Sequence, residues 1–69
     1  MSKTEKAWIR GFCTALAEMH RLLLGGCNSS GVRGVAKAAA VSLREAKQAG
    51  VPEYDLAELV KAGVQSSVE

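Results

Sequence analysis

Aromatic rings are scarce in this chain: Trp8, Phe12 and Tyr54 are the only three among 69 residues. A short chain with few large rings has one small core at most, worth no more than about 3–5 kcal/mol by itself. Chains of this size lean on disulfides, a metal or a partner subunit. No apolar run approaches the ~20 residues of a membrane helix, and the start lacks the apolar stretch of a signal peptide. The expected compartment is therefore the cytoplasm. Cysteine occurs twice, as Cys13 and Cys27, which without a secretion signal points to thiols. A helix running from Cys13 to Leu24 carries the chain ~16 Å away, and three further residues return it by at most ~10 Å. That leaves the pair at or beyond disulfide range unless helix 1 stops early. Cys13 and the single histidine, His20, lie ~10 Å apart along a helix, too far to share one ion. No metal, cofactor, acid–base pair or activated nucleophile is implied. The expectation is a protein that is not an enzyme and has no small-molecule substrate.

One-signed charge is also missing. The net charge of +2 is too small to announce nucleic-acid binding. Its distribution is uneven: Arg33, Lys37, Arg44 and Lys47 face only Glu45 between residues 31 and 50, and the acids Glu53, Asp55, Glu58 and Glu69 follow.

What is abundant is Ala, Leu and Val with helical punctuation. Ser2-Lys3-Thr4-Glu5 has capping-box spacing, so a helix can begin at Lys3. Trp8, Phe12, Leu16, Met19 and Leu23 then recur at helical intervals, with Ile9, Cys13, His20 and Leu24 alongside. Arg10, Thr14, Glu18 and Arg21 mark an opposite, solvated face. The apolar stripe is wider than one short neighbour needs, and the surplus predicts a dimer surface anchored by Trp8 and Phe12, with Ile9, Leu16, Met19 and Leu23. Gly25 or Gly26 can end this helix, and Asn28, Ser29 or Ser30 can cap the next. A phosphate cradle in this loop is disfavoured, because no strand precedes it. Lys47-Gln48-Ala49-Gly50-Val51 and Lys61-Ala62-Gly63-Val64 both predict a helix stop with glycine in the left-handed position. Pro52 can open a last helix whose first turn holds Glu53 and Asp55. Glu53, Tyr54, Asp55 and Glu58 are ordinary helix-start chemistry or, alternatively, a contact surface for a basic partner. Residues 65–69 are expected to form a disordered tail behind a single domain of residues 1–64.

The middle segment admits two readings, one helix over about 32–49 or two helices parted at Ala40-Val41. Ser42-Leu43-Arg44-Glu45, a second capping box, favours the break; three consecutive alanines favour continuity. With the break, residues 35–48 resemble a lac-repressor-type helix-turn-helix. Val35, Ala36, Ala39, Val41 and Ser42 fall on matching positions. Ala40 stands where such turns have glycine, and Ala46 and Ala49 stand where Val or Ile would anchor the recognition helix. The resemblance implies nucleic-acid contacts from Ser42, Arg44, Lys47 and Gln48, with Arg33 and Lys37 near phosphates.

Over nearly its full length the chain resembles small early-region proteins of temperate Pseudomonas phages, the quorum-sensing anti-activator type in particular. Ser2-Lys3-Thr4-Glu5-Lys6-Ala7-Trp8, Glu18-Met19-His20-Arg21-Leu22-Leu23-Leu24-Gly25-Gly26 and Tyr54-Asp55-Leu56-Ala57-Glu58-Leu59 before Ala62-Gly63-Val64 carry that likeness. It implies a small helical dimer, in the host cytoplasm, that binds and disables a host protein such as a LuxR-type transcriptional activator. It transfers no binding residues. The expected fold is all-α, with three short helices, a helix-turn-helix-like middle and a homodimer through helix 1; a small DNA-binding regulator is the alternative.

Overall fold

The computed structural model describes residues 1–26 and 28–66. Four α-helices follow one another: α1 (Lys3–Leu22), α2 (Ser29–Ala38), α3 (Leu43–Ala49) and α4 (Glu53–Ala62). There is no strand among the described residues, so the chain is all-helical as expected, but the count of three is corrected to four. The middle segment is two helices, and α1, at 20 residues, is not short. None of these helices is long and apolar enough to cross a membrane.

Local chemistry accounts for most boundaries. The Ser2 hydroxyl accepts the N–H of Glu5 and starts α1 at Lys3. Asn28 caps α2 by accepting the Gly31 N–H at 2.9 Å. Ser42 caps α3, accepting the Glu45 N–H while its own hydroxyl donates to the Glu45 carboxylate at 2.9 Å. Gly50 and Gly63 take left-handed conformations (φ 92° and 88°), and the N–H groups of Val51 and Val64 reach back to the carbonyls of Ala46 and Leu59. Both are Schellman closures. Pro52 precedes α4, and its carbonyl receives the N–H groups of Asp55 and Leu56.

A third closure of the same kind ends α2 without glycine. Ala40 adopts φ 57°, its N–H donates to the Lys37 carbonyl, and Val41 N–H donates to Ala36. The turn between α2 and α3 thus keeps its left-handed shape on an alanine. The three closures share one product: the valine after each left-handed residue (Val41, Val51, Val64) folds back into the core. The end of α1 departs from expectation. Leu23, not Gly25 or Gly26, takes the left-handed cap (φ 53°), and a 3-10 turn over Leu24–Gly26 follows.

α1 packs against both α3 and α4, while α2 packs chiefly on α4. Ile9, Cys13, Leu16 and Ala17 supply α1's share of the core. Ala46 and Ala49, suspected of weak anchorage, are 1% and 2% exposed. Small side chains let α3 approach closely, and the flanking Val41 and Val51 add grip on either side. Within the expected tail, two residues engage the start of α3. Gln65 and Ser66 present their carbonyls to the N–H groups of Leu43 and Arg44 at 2.9 and 3.0 Å, satisfying donors that the start of α3 leaves free. The remainder of that tail lies outside the described residues.

Candidate interaction surfaces

α1 has two apolar rows, and the fold uses one. With 100° between successive residues, Ile9, Cys13, Leu16 and Ala17 share the inward side, while Trp8, Phe12, Met19 and Leu22 line the next sector, and Leu23 follows as the left-handed cap. Ile9 and Leu16, expected at the dimer surface, are instead spent on the core. Trp8 is 54% exposed, Met19 40% and Leu23 62%; Leu22 is exposed as well. Phe12 is half-buried and stacks on Trp8, with ring centroids 5.3 Å apart and planes 9° from parallel. Mutual stacking holds both rings in place without hiding them.

The face of α1 expected to be solvated is not left to water. Arg10 donates to the Ala49 carbonyl at 3.4 Å and ties α1 to the end of α3. Arg21 pairs with Glu18, reaches Asp55 at 3.4 Å and Glu58 at 3.6 Å, and lies 4.1 Å over the Tyr54 ring. Asp55 is buried, and Thr14 also donates to it. Asp55 and Glu58 are therefore engaged from within, which favours their reading as fold chemistry over a surface for a basic partner.

His20 belongs to the same region. Its Nδ1 stands 2.6 Å from Glu58 Oε2 and its Nε2 3.0 Å from Ser29 Oγ. The hydrogen bond with His20 holds the Glu58 carboxyl below the usual range, and Lys61 and Arg21 act in the same direction. The ionised Glu58 carboxylate accepts from Nδ1, and Ser29 Oγ is within hydrogen-bond reach of Nε2. Sequence reasoning missed this chain of three, because its members come from α1, α2 and α4. The order of groups is that of a nucleophile, a base and an orienting acid. None of the three lines either cleft described here, and the chain's evident effect is to lock three helices together.

Cys13 is a free, buried thiol whose pKa burial pushes up to about 11, with the negative charges of Asp55 and Glu45 adding to the effect. Such a thiol is a packing group with little nucleophilic character. The expectation about pairing with Cys27 concerns a residue outside those described. Among the described residues, no cluster of three or more His, Cys, Asp or Glu side chains could hold a metal.

The residues assigned to nucleic acid divide. Arg33, Lys37, Arg44, Lys47 and Gln48 are exposed on α2 and α3, as groove and phosphate contacts would have to be. Ser42 is 2% exposed and its hydroxyl is engaged with Glu45, which removes it from that set. The start of α3, which would lead into a major groove, carries the Gln65 and Ser66 carbonyls.

Two clefts border these surfaces. One, of about 370 Å³, lies beside Trp8 and Ile9, between the start of α1 and the Ala39–Val41 turn, with Glu5 and Glu45 on its rim. The other, of about 420 Å³, lies between α2 and the segment that leaves α4. The chain matches no family model, no curated protein and no solved structure.

Proposed function

We propose that this chain is a non-enzymatic binding protein that pairs with a second copy of itself through α1 and disables a regulatory protein of its host. The observation that carries the pairing is the exposed row Trp8, Met19 and Leu22, joined by half-buried Phe12 and by Leu23 at the cap, which runs ~20 Å along one side of α1 beside a core already filled by the adjacent row. Apolar surface this continuous on so small a chain costs solvation unless another surface covers it. The identity of the host target rests on the whole-chain resemblance, which makes a LuxR-type activator the first to test.

Sedimentation of the purified chain at ~10 μM tests the pairing, that concentration corresponding to about 7 kcal/mol of association. A dimer that Trp8→Glu and Met19→Glu each convert to a folded monomer supports it; a wild-type monomer overturns it. For the target, a purified LuxR-type activator should lose its operator complex on addition of stoichiometric protein. An unchanged complex removes that class of target.

The second reading is a small DNA-binding regulator, favoured by the helix-turn-helix-like α2–α3 pair and its exposed Arg33, Lys37, Arg44, Lys47 and Gln48. The buried Ser42 and the covered start of α3 weigh against it. Absence of any salt-sensitive shift of its own promoter DNA would dispose of it.

A further inference from the structure

The cleft of about 420 Å³ between α2 and the end of α4 is built differently from the α1 face. Ala36, Val41 and Val64, all buried in the core, form its apolar floor. Arg33 and Lys37, one turn apart on α2, stand at its rim, and among the described residues no acidic side chain lines it. Among the described residues neither cation has a carboxylate partner, in contrast to Arg21, which is held by Glu18, Asp55 and Glu58. Glycine opens the rim. Gly63 faces the Arg33 stem so closely that a Cβ there would lie 2.9 Å from Arg33 Cδ, while Gly34 has open space around it. The Arg33 stem thus rests along the end of α4, which brings its guanidinium to the cleft mouth.

We propose that this cleft binds an acidic segment of a partner protein, seating one bulky apolar side chain on the Ala36–Val41–Val64 floor and pairing adjacent carboxylates with Arg33 and Lys37. Its volume falls within the ~300–1,000 Å³ usual for ligand sites, and it combines an apolar floor with convergent charge at the edge. A phosphate backbone would satisfy the two cations but leave the floor unused, so an acidic peptide is the better complement. No α1 residue lines the cleft, so the inference goes beyond the pairing through α1 and does not depend on it.

The test is amide chemical-shift titration of the full, isotope-labelled chain with a synthetic peptide of one phenylalanine flanked by glutamates. The same peptide with glutamines and a short DNA duplex are run beside it. Saturable shifts at Ala36, Val41, Val64 and Gln65 are expected. Binding should weaken about tenfold, the equivalent of 1.4 kcal/mol, with the glutamine peptide and again in Lys37→Glu. Gly34→Glu, at a position with room for a side chain, should weaken it likewise without disturbing the floor. The proposal is overturned by absence of saturable shifts, by shifts confined to α1, by equal affinity for the glutamine peptide, or by tighter binding of the duplex at the same residues. A chain that proves monomeric yet binds the peptide refutes the pairing and keeps the cleft.

Discussion

The backbone N–H of Leu43 donates to the carbonyl of Gln65 at 2.9 Å, so the chain's last described turn sits on the start of α3. A helix start is where a phosphate or a base edge would be met, and here neighbouring donors are already taken by Gln65 and Ser66. Ending the chain at Val64 should raise the exchange rates of the Leu43 and Arg44 amides and cost about 1 kcal/mol per lost bond at most. Hydrogen exchange and thermal melts measure both effects. Unchanged protection at those two amides would show that the tail does not hold α3.

Ala40 keeps a left-handed conformation that glycine adopts without steric cost. Ala40→Gly should therefore stabilise the fold by about 1 kcal/mol, less the extra chain entropy glycine brings to the unfolded state. Ala40 is exposed, so little packing is lost. A lower melting temperature for this variant would contradict the strain assigned to the turn.

Ser42 should be intolerant of removal. Ser42→Ala deletes a buried cap and leaves the Glu45 N–H without its acceptor, for a loss of about 1–2 kcal/mol. Ser2→Ala, at an exposed cap, should cost less. Urea denaturation of the two variants gives the comparison, and equal losses would mean that burial at Ser42 adds nothing.

Glu58 makes part of the stability depend on pH. Its folded pKa lies below the ordinary carboxylate value of 4.5, so its contribution is complete above that value and is lost as pH falls through the lower, folded pKa. Glu58→Gln should flatten the acid limb of a plot of melting temperature against pH. The wild-type slope persisting in the variant would assign the acid sensitivity elsewhere.

Cys13 has the opposite sign and range. Its folded pKa is raised from 9.0 to about 11, so its contribution is complete below pH 9 and declines as pH rises towards 11. In a Cys27→Ser background, Ellman's reagent at pH 8 should label Cys13 only as fast as the fold opens. Rapid labelling of the native protein would show that the thiol is accessible.

How much of this was legible beforehand follows from the span of each interaction. The caps at Ser2 and Ser42 and the stops at Gly50 and Gly63 each depend on residues within five positions of one another, whereas the break at Ala40-Val41 competed with three helix-favouring alanines and stayed one of two readings. Such contacts leave a readable spacing in the chain. That α1 carries more apolar surface than one neighbour can cover was readable in the same way, from its two parallel rows.

Which row turns inward was not readable, because both have helical periodicity and only packing against α3 and α4 separates Ile9 from Trp8. The Ser29–His20–Glu58 chain, the internal pairing of Asp55 and the hold of Gln65 and Ser66 on α3 were equally hidden. Their partners are 9 to 38 positions apart for the histidine and 34 for Arg21 with Asp55. Local hydrogen-bond chemistry decided where the helices of this protein start and stop. Burial of a shared core decided which of their faces remain for other molecules, because packing α1 on α3 and α4 turns Ile9, Cys13 and Leu16 inward and leaves Trp8 outside.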